Sequence, residues 1–247
     1  MTGMPLIVAH RGYSKIAPEN TLAAYEAAIK AGAPAAECDV CVTSDGHVVL
    51  SHDATIDRCT DGTGSISQMT LAQVQSVDAG AWKDDAYAGQ TIPTLRQALE
   101  LTEGRLHLIV EVKQAGAARQ VAEVIGQMQA IDECTIISFN LDTCGQMRRV
   151  EPRLAVGWLT GGLKAEDDGQ ASDLIHTALS ANVQFLDVAA NGIPPELMRR
   201  ADLSGVTVWT WTVNSPDLVR HMAGLGVKGI TTDDPVMALE VLYGTGG

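Results

Sequence analysis

Two short apolar runs in the N-terminal part of the chain end in histidine. His10 and Arg11 follow the run Leu6–Ala9, and His52 follows a second run. A histidine pair can act as base and acid because imidazole titrates near neutral pH. Arginine binds two phosphate oxygens at once and lysine supplies a point charge, so Arg11 and Lys113 are candidate phosphate ligands. The alternative for the histidines is that both are merely hydrogen-bonded within the fold.

Three carboxylates lie in two further strand-like runs. Glu37 and Asp39 share one face of a predicted strand, and Glu111 precedes Lys113 at the end of another. Carboxylates that face one space repel each other unless a cation lies between them. Oxygen ligands favour Mg²⁺, Ca²⁺ or Mn²⁺ over zinc. The sequence therefore predicts one divalent cation, and the alternative is that Glu37 and Asp39 form ion pairs with Arg11 and Lys113.

A late strand-like run carries two indoles at alternate positions. Trp209 and Trp211 share one face of this strand. If that face points towards the site, an indole offers an apolar wall to the carbon skeleton of a substrate. The alternative is that either indole packs in the core against a helix.

Strand-like and helical runs alternate along the chain, and they must bring these side chains together. Predicted barrel strands lie near 6–9, 36–42, 108–112, 135–139, 155–159, 185–188, 207–212 and 229–231. Predicted helices lie near 21–31, 71–77, 95–102, 117–130, 141–150, 173–180, 195–201 and 217–225. The run 48–52 follows a turn too short for a crossover helix, so we expect it to fold back antiparallel.

Eight alternating units in 247 residues predict an α/β fold, a (β/α)₈ TIM barrel. An open doubly wound sheet is the alternative. Active sites of such barrels form at the carboxyl ends of the strands, where the candidate residues above are expected. Residues 53–92 are glycine-rich and polar, and we expect them to form a small insertion after the second barrel strand, over the barrel mouth. The whole chain, 1–247, is predicted to be a single domain.

Composition narrows the classes of partner and the location. A formal net charge of −13 disfavours nucleic acid, which is bound mainly by lysine and arginine. No segment approaches the roughly 20 apolar residues of a membrane-spanning helix, so we expect no stable membrane insertion. The N-terminus does not look like a signal peptide, and a cytoplasmic location is expected. Five scattered cysteines are expected to be reduced thiols.

An ordered series of motifs runs through the chain. They are His10-Arg11-Gly12, Pro18-Glu19-Asn20-Thr21, Glu37-Cys38-Asp39-Val40, His52-Asp53, Ile92-Pro93-Thr94-Leu95, Glu111-Val112-Lys113, Trp211-Thr212-Val213-Asn214 and Gly229-Ile230-Thr231-Thr232-Asp233-Asp234-Pro235. In these motifs the sequence resembles the glycerophosphodiester phosphodiesterase family from Leu6 to about Leu239. Each motif alone is weakly specific, but the full ordered series is highly specific.

The resemblance implies a TIM barrel that hydrolyses glycerophosphodiesters to an alcohol and sn-glycerol 3-phosphate. It implies these roles: His10 and His52 as general acid and base; Glu37, Asp39 and Glu111 as ligands of one Mg²⁺, Ca²⁺ or Mn²⁺; Arg11 and Lys113 as phosphate contacts; and Trp211 as a wall of the glycerol pocket. Two alternatives stay open. One is a lysophospholipase D or sphingomyelinase D-like enzyme acting on lipids, and the other is a non-catalytic phosphate-binding barrel.

Overall fold

Eight parallel strands close into a barrel in the computed structural model, which describes residues 3–163 and 168–244. The strands are β1 (Leu6–Ala9), β2 (Ala35–Val42), β3 (Val48–Leu50), β4 (His107–Val112), β5 (Cys134–Ser138), β6 (Ala155–Thr160), β7 (Phe185–Ala189), β8 (Thr207–Trp211) and β9 (Gly229–Thr232). β1 pairs with both β2 and β9, which closes the sheet. The predicted TIM barrel is confirmed, and the alternative of an open sheet is wrong.

The strand outside the barrel is β3, which pairs antiparallel with β2. The turn between them, Thr43 to His47, folds back on itself through hydrogen bonds between these two residues. The prediction of a folded-back strand is therefore confirmed. This reversal brings His52, just past β3, to the same end of the barrel as the end of β2.

Helices cover the outside of the barrel, except for a short one that lies within residues 53–92. They are α1 (Leu22–Lys30), α2 (Leu71–Val74), α3 (Leu95–Thr102), α4 (Ala118–Gln127), α5 (Leu141–Val150), α6 (Asp168–Ser180), α7 (Pro195–Ser204), α8 (Pro216–Leu225) and α9 (Pro235–Tyr243). α9 was not predicted, because its nearly uniform apolar sequence lacks a polar face and so gives no helical periodicity. Among the described residues, the helices are all too short or too polar to cross a membrane.

Large rings fill the interior of the barrel below its carboxyl end. Phe185 and Trp209 stack with their ring centroids 4.5 Å apart. They fit because the neighbouring strands carry glycine beside them: a Cβ atom at Gly157 would overlap the ring of Phe185, and one at Gly229 would overlap Trp209. The rings and the aliphatic residues around them form a closed floor.

Residues 53–92 pack against the mouth of the barrel. Their apolar side chains form a small separate cluster with Cys41 and Val49 from β2 and β3. The Lys83 ammonium donates to the carbonyl of Ser14 at 2.8 Å, and the Tyr87 hydroxyl donates to the carbonyl of Ile16 at 3.0 Å. This segment is thus tied to the β1–α1 loop beside the site. All five cysteines are free.

Candidate active site

The eight residues predicted to form the site lie together at the carboxyl end of the barrel. Seven of them line one cleft of about 220 Å³: His10, Arg11, Glu37, His52, Glu111, Lys113 and Trp211. The eighth, Asp39, is fully buried beside them. They come together because inward-facing positions at the ends of β1, β2, β4 and β8 face the same space.

Glu37, Asp39 and Glu111 form a cluster of carboxylates at one side of the cleft. Each offers an oxygen within 4.8 Å of the others, and all three are buried. In β2 the two carboxylates are two residues apart, and Asp39 lies directly opposite Glu111 in the register of β2 and β4. Glu37 Oε1 is buried without a hydrogen-bond partner among the described residues. That orphaned oxygen is the kind of atom a cation satisfies.

The positively charged side chains of Arg11 and Lys113 compensate part of the negative charge of the three carboxylates. Arg11 Nε lies 3.1 Å from Asp39 Oδ2, and Lys113 Nζ lies 3.3 Å from Asp39 Oδ1 and 3.2 Å from Glu111 Oε1. The ion pairs considered as an alternative from the sequence are therefore present for Asp39. Glu37 makes none with these two side chains and instead accepts a hydrogen bond from the Arg11 backbone N–H at 3.0 Å.

These contacts and the burial of the site affect the three carboxyl groups differently: the pKa of Asp39 is lowered, and the pKa values of Glu37 and Glu111 are raised. Burial opposes ionisation of Asp39, but Arg11 and Lys113 outweigh it and lower the pKa of Asp39. Burial raises the pKa of Glu37 well above its usual value, and Asp39 and Glu111 add to the rise. Burial and the nearby Asp39 raise the pKa of Glu111 to about 7. Arg11 and Lys113 alone therefore do not balance three carboxylates, and the cluster has the charge and ligand chemistry to hold a divalent cation.

The backbone turn after β1 positions Arg11. Its φ of 55° lies in the left-handed region, and the following Gly12, with φ of 80°, packs so closely on Ala24 that a Cβ atom would not fit. Arg11 Nη1 donates to Glu19 Oε1 at 2.9 Å. Glu19 is held in turn by Arg58 from the insertion, with hydrogen bonds of 2.7 and 3.0 Å. The guanidinium is fixed at the edge of the cleft by contacts with both neighbouring loops.

Each histidine of the cleft is held by an aspartate. His10 Nδ1 lies 2.6 Å from Asp233 Oδ1, and His52 Nδ1 lies 2.7 Å from Asp53 Oδ1. Burial works against ionisation of Asp233, but hydrogen bonds from His10 and Asn214 hold its pKa below the usual value. An ionised carboxylate only accepts hydrogen bonds, so Nδ1 of the paired imidazole carries a proton and Nε2 is left for other chemistry. His10 Nε2 lies 3.9 Å from Glu37 Oε2, at the carboxylate cluster.

The opposite side of the cleft is apolar. Phe139 and Trp211 meet edge to face with their ring centroids 5.5 Å apart, and Ile137 and Leu159 lie beside them. Trp211 Nε1 donates to the backbone carbonyl of Asp187 at 3.2 Å, which fixes the plane of the indole. Both tryptophans of β8 face into the barrel, Trp209 in the floor and Trp211 in the cleft. The alternative of an indole packed outwards against a helix is therefore wrong.

Comparison with known proteins identifies the family. Residues 10–237 match the profile of the glycerophosphoryl diester phosphodiesterase family. The chain belongs to this family. A glycerophosphodiester phosphodiesterase of Caldanaerobacter subterraneus subsp. tengcongensis is 34% identical over 243 residues, which cover 96% of this chain and 97% of the relative. The protein is therefore an enzyme, a phosphodiesterase, and the non-catalytic alternative is not supported.

Solved structures of phosphodiesterases share the barrel. An Oleispira antarctica phosphodiesterase in complex with the product sn-glycerol-3-phosphate superposes with a TM-score of 0.89, at 28% identity, and covers 96% of both chains. A putative glycerophosphoryl diester phosphodiesterase of Silicibacter pomeroyi superposes with a TM-score of 0.86, at 26% identity, over 98% of this chain and 94% of that one. The phosphodiesterase fold of this chain thus extends over nearly its whole length.

Several polar residues of this phosphodiesterase site were not assigned a role from the sequence. Asp53 and Asp233 hold the two histidines, and both stand inside motifs that were recognised, His52-Asp53 and the stretch before Pro235. Asn20, also in a motif, donates to Asp39 Oδ2 at 2.8 Å. The motifs therefore offered a sequence signal from which Asp53, Asp233 and Asn20 could have been identified as site residues. Arg58 and Asp187 lie outside the motifs, and only their positions in space connect them with the site.

Proposed function

We propose that this phosphodiesterase uses a divalent cation to hydrolyse glycerophosphodiesters to an alcohol and sn-glycerol 3-phosphate. The observation that carries the proposal is the composition of one cleft. It has a carboxylate cluster and the side chains of Arg11 and Lys113 on one side, and the indole of Trp211 on the other. A phosphodiester with a small carbon skeleton matches both sides. The product named for the Oleispira antarctica phosphodiesterase, sn-glycerol-3-phosphate, supports the same substrate class.

Glu37, Asp39 and Glu111 are the proposed ligands of the cation. The orphaned Glu37 Oε1 and the raised pKa values of Glu37 and Glu111 support this, because both features disappear when positive charge lies between the carboxylates. When bound, the cation supplies a Lewis acid that stabilises negative charge on the phosphoryl oxygens. Oxygen ligands favour Mg²⁺, Ca²⁺ or Mn²⁺.

Arg11 and Lys113 are the proposed phosphate contacts. Both side chains are partly buried at the edge of the cleft, with 17% and 24% of their surface exposed. Each already touches Asp39, so each is held in place before substrate binds. Fixed donors stabilise charge that develops in the transition state without rearranging.

His10 and His52 are the proposed acid–base pair. One imidazole accepts the proton of the nucleophile as its oxygen bonds to phosphorus, and the other donates a proton to the alkoxide as the P–O bond to the leaving alcohol breaks. The nucleophile is water or the neighbouring hydroxyl of the glycerol group, whose proximity would give a cyclic phosphate that water then opens. A time course that detects or lacks cyclic glycerophosphate separates these two routes.

Release of glycerol 3-phosphate from a panel of substrates tests the proposal. The panel contains glycerophosphodiesters with different leaving alcohols, a lysophospholipid and sphingomyelin. A coupled enzyme assay measures the glycerol 3-phosphate released, and a separate assay measures free choline. We expect turnover of the glycerophosphodiesters, its loss after exhaustive chelation, and its return with Mg²⁺, Ca²⁺ or Mn²⁺. Faster turnover of the lipids would support the lysophospholipase D or sphingomyelinase D alternative. Unchanged turnover after chelation would count against the metal.

A further inference from the structure

Asp187 is a buried carboxyl group in the cleft that has no part in the chemistry described above. It lies on β7 with 1% of its surface exposed, and it lines the same cleft as the proposed catalytic residues. Its Oδ1 has no hydrogen-bond partner within the described ranges 3–163 and 168–244. A buried polar atom without a partner is costly, and the carboxyl group that carries this one is among the side chains that line the cleft.

The surroundings of Asp187 place it on the apolar side of the cleft. Its neighbours in the strand register are Leu159 on β6 and Trp209 on β8. The next inward-facing residue below it on β7 is Phe185, which belongs to the floor. Its own backbone carbonyl accepts the indole N–H of Trp211. The carboxyl group thus lies beside aromatic and aliphatic side chains, and Glu111 is the charged group that acts on it.

The carboxylate cluster does not explain Asp187. The group of side chains able to share a metal ion, among the residues described, consists of Glu37, Asp39 and Glu111. No arginine or lysine side chain is paired with Asp187 in the described structure, whereas Asp39 has two such partners. In the described structure, no positively charged side chain thus offsets the free-energy cost of burying this carboxyl group.

The chemistry of Asp187 favours a neutral hydroxyl group as its ligand. Burial, with a smaller contribution from Glu111, raises the pKa of Asp187 to about 8, so near neutral pH the group is mostly a neutral carboxylic acid. A neutral carboxylic acid both donates and accepts a hydrogen bond, as an alcohol does. An ammonium group would need an ionised partner in this apolar setting, which makes a cationic ligand unfavourable here.

We propose that Asp187 is a specificity-determining residue that hydrogen-bonds a hydroxyl group of the phosphate-bearing carbon skeleton. This inference rests on the proposed function, because it assumes that the phosphate lies against Arg11 and Lys113. A skeleton held between that phosphate position and Trp211 lies on the Asp187 side of the cleft. Glycerol phosphate carries such hydroxyl groups, and simple alkyl phosphates do not.

The preference for glycerol 3-phosphate over propyl phosphate tests the inference in a binding measurement. The two ligands share the phosphate and the three-carbon skeleton and differ in the hydroxyl groups. Calorimetry of the Mg²⁺-loaded protein gives both dissociation constants without turnover. We expect the wild type to prefer glycerol 3-phosphate by at least about tenfold, because a site built to bind a hydroxyl group rejects a ligand that lacks it.

Substitutions of Asp187 should remove that preference. In Asp187→Leu, which keeps the branched shape of the side chain but is larger, and in Asp187→Ala, which is smaller, we expect the ratio of the two dissociation constants to fall to less than about threefold. Asp187→Asn keeps a donor and an acceptor and should retain most of the preference. Having two apolar variants guards against one that fails to fold.

Thr160→Val is the matched control. Thr160 Oγ1 is also buried and without a partner in the described structure, and the residue pairs in register with Val188, next to Asp187. It is absent from the residues that line the cleft, so the preference should be unchanged.

Two outcomes overturn the inference, and a separate one overturns the proposed function. If the wild type does not prefer glycerol 3-phosphate over propyl phosphate, or if both dissociation constants rise equally in the apolar variants, Asp187 does not recognise the hydroxyl group. If the wild type releases no glycerol 3-phosphate from any diester, the proposed function fails whatever the binding ratio. A wild type that turns over glycerophosphodiesters and keeps its binding preference in Asp187→Leu refutes only the role of Asp187.

Discussion

The two sides of the cleft differ in how their polar groups are satisfied. On the side formed by β1, β2 and β4, the charged groups contact one another: Asp39 contacts Arg11, Lys113 and Asn20. Glu37 Oε1 is the exception there, because it has no hydrogen-bond partner in the described structure. On the side formed by β5 to β8, the rings of Phe139 and Trp211 dominate, and the one buried carboxyl group, Asp187, has an unpartnered oxygen in the described structure.

This difference separates two tasks that a phosphodiesterase must combine. Fixed charges on one side suit the phosphoryl group, where negative charge moves during the reaction. An apolar wall with one isolated polar group suits recognition of the carbon skeleton, because a single hydrogen bond in an apolar setting discriminates strongly. Changes on the charged side should therefore lower kcat, and changes on the apolar side should alter binding.

The largest effect is expected from the charged side, in Glu37→Gln. If Glu37 is a ligand of the proposed cation, its loss weakens metal binding and the stabilisation that the cation supplies, so kcat should fall by about 10³-fold or more, equivalent to several kcal/mol. Steady-state kinetics and calorimetric titration with Mg²⁺ measure both effects. Glu123→Gln, an exposed position on α4, is the control and should behave as the wild type. A kcat within tenfold of the wild type, with unaltered metal affinity, would contradict the assignment.

His52→Ala tests the acid–base pair on the same side. General acid–base catalysis contributes about 10²- to 10⁴-fold, so kcat should fall by about 10³-fold while KM changes little. His47→Ala, on the turn before β3 with half of its side chain exposed, is the matched control and should leave kcat unchanged within about twofold. Equal losses in the two variants would point to an effect on folding instead of catalysis.

The pH dependence of stability tests the apolar side. The pKa of Asp187 is about 8 in the folded protein against a usual 3.8, so the folded state binds its proton more tightly. The resulting stabilisation is complete below about pH 4 and is lost as the pH rises through 8. Between pH 5 and 8 the metal-free wild type should lose at most about 4 kcal/mol from this group.

Urea unfolding of metal-free protein at pH 5 and at pH 8 measures this loss. Asp187→Asn cannot ionise, so its stability should vary less with pH than that of the wild type, while Thr160→Val should keep the wild-type variation. Glu37 and Glu111 contribute to the variation in all three proteins, so the difference between the wild type and Asp187→Asn reports Asp187 together with its interaction with Glu111. The same pH dependence in Asp187→Asn and the wild type would mean that Asp187 is not protonated in the folded state.

The smallest effect is expected from Trp211→Leu. The substitution removes an aromatic wall but no charge, so KM should rise by about tenfold while kcat stays within about threefold, in keeping with a contact worth roughly 1–2 kcal/mol. Trp82→Leu, on the insertion and outside this cleft, is the comparison. A fall in kcat without a change in KM would assign Trp211 to the chemical step and weaken the distinction between the two sides.

The sequence predicted the barrel and the charged side, and much less of the apolar side. The charged residues stand in short motifs close in the chain, and alternation along β2 is enough to put Glu37 and Asp39 on one face. Asp187, Phe139 and Leu159 come from separate strands without any motif, and their meeting depends on the closure and register of the barrel. The partners Asp53 and Asp233 were visible in motifs, but their pairing with His52 and His10 depends on contacts made only in the folded chain.

The floor of stacked rings described above also bears on the route by which the products of the proposed reaction leave the site. Phe185 and Trp209, which fit because Gly157 and Gly229 leave room for them, fill the barrel below the cleft. Within the described residues, a ligand therefore cannot leave the cleft through the barrel interior. When a cleft is closed at its inner end, the product bound deepest in it leaves last. If the glycerol group binds between Trp211 and Asp187 as proposed, we expect the alcohol to depart first and sn-glycerol 3-phosphate second. In that case the second product would compete with each new substrate molecule, and the rate of the enzyme would depend on how quickly that product is consumed.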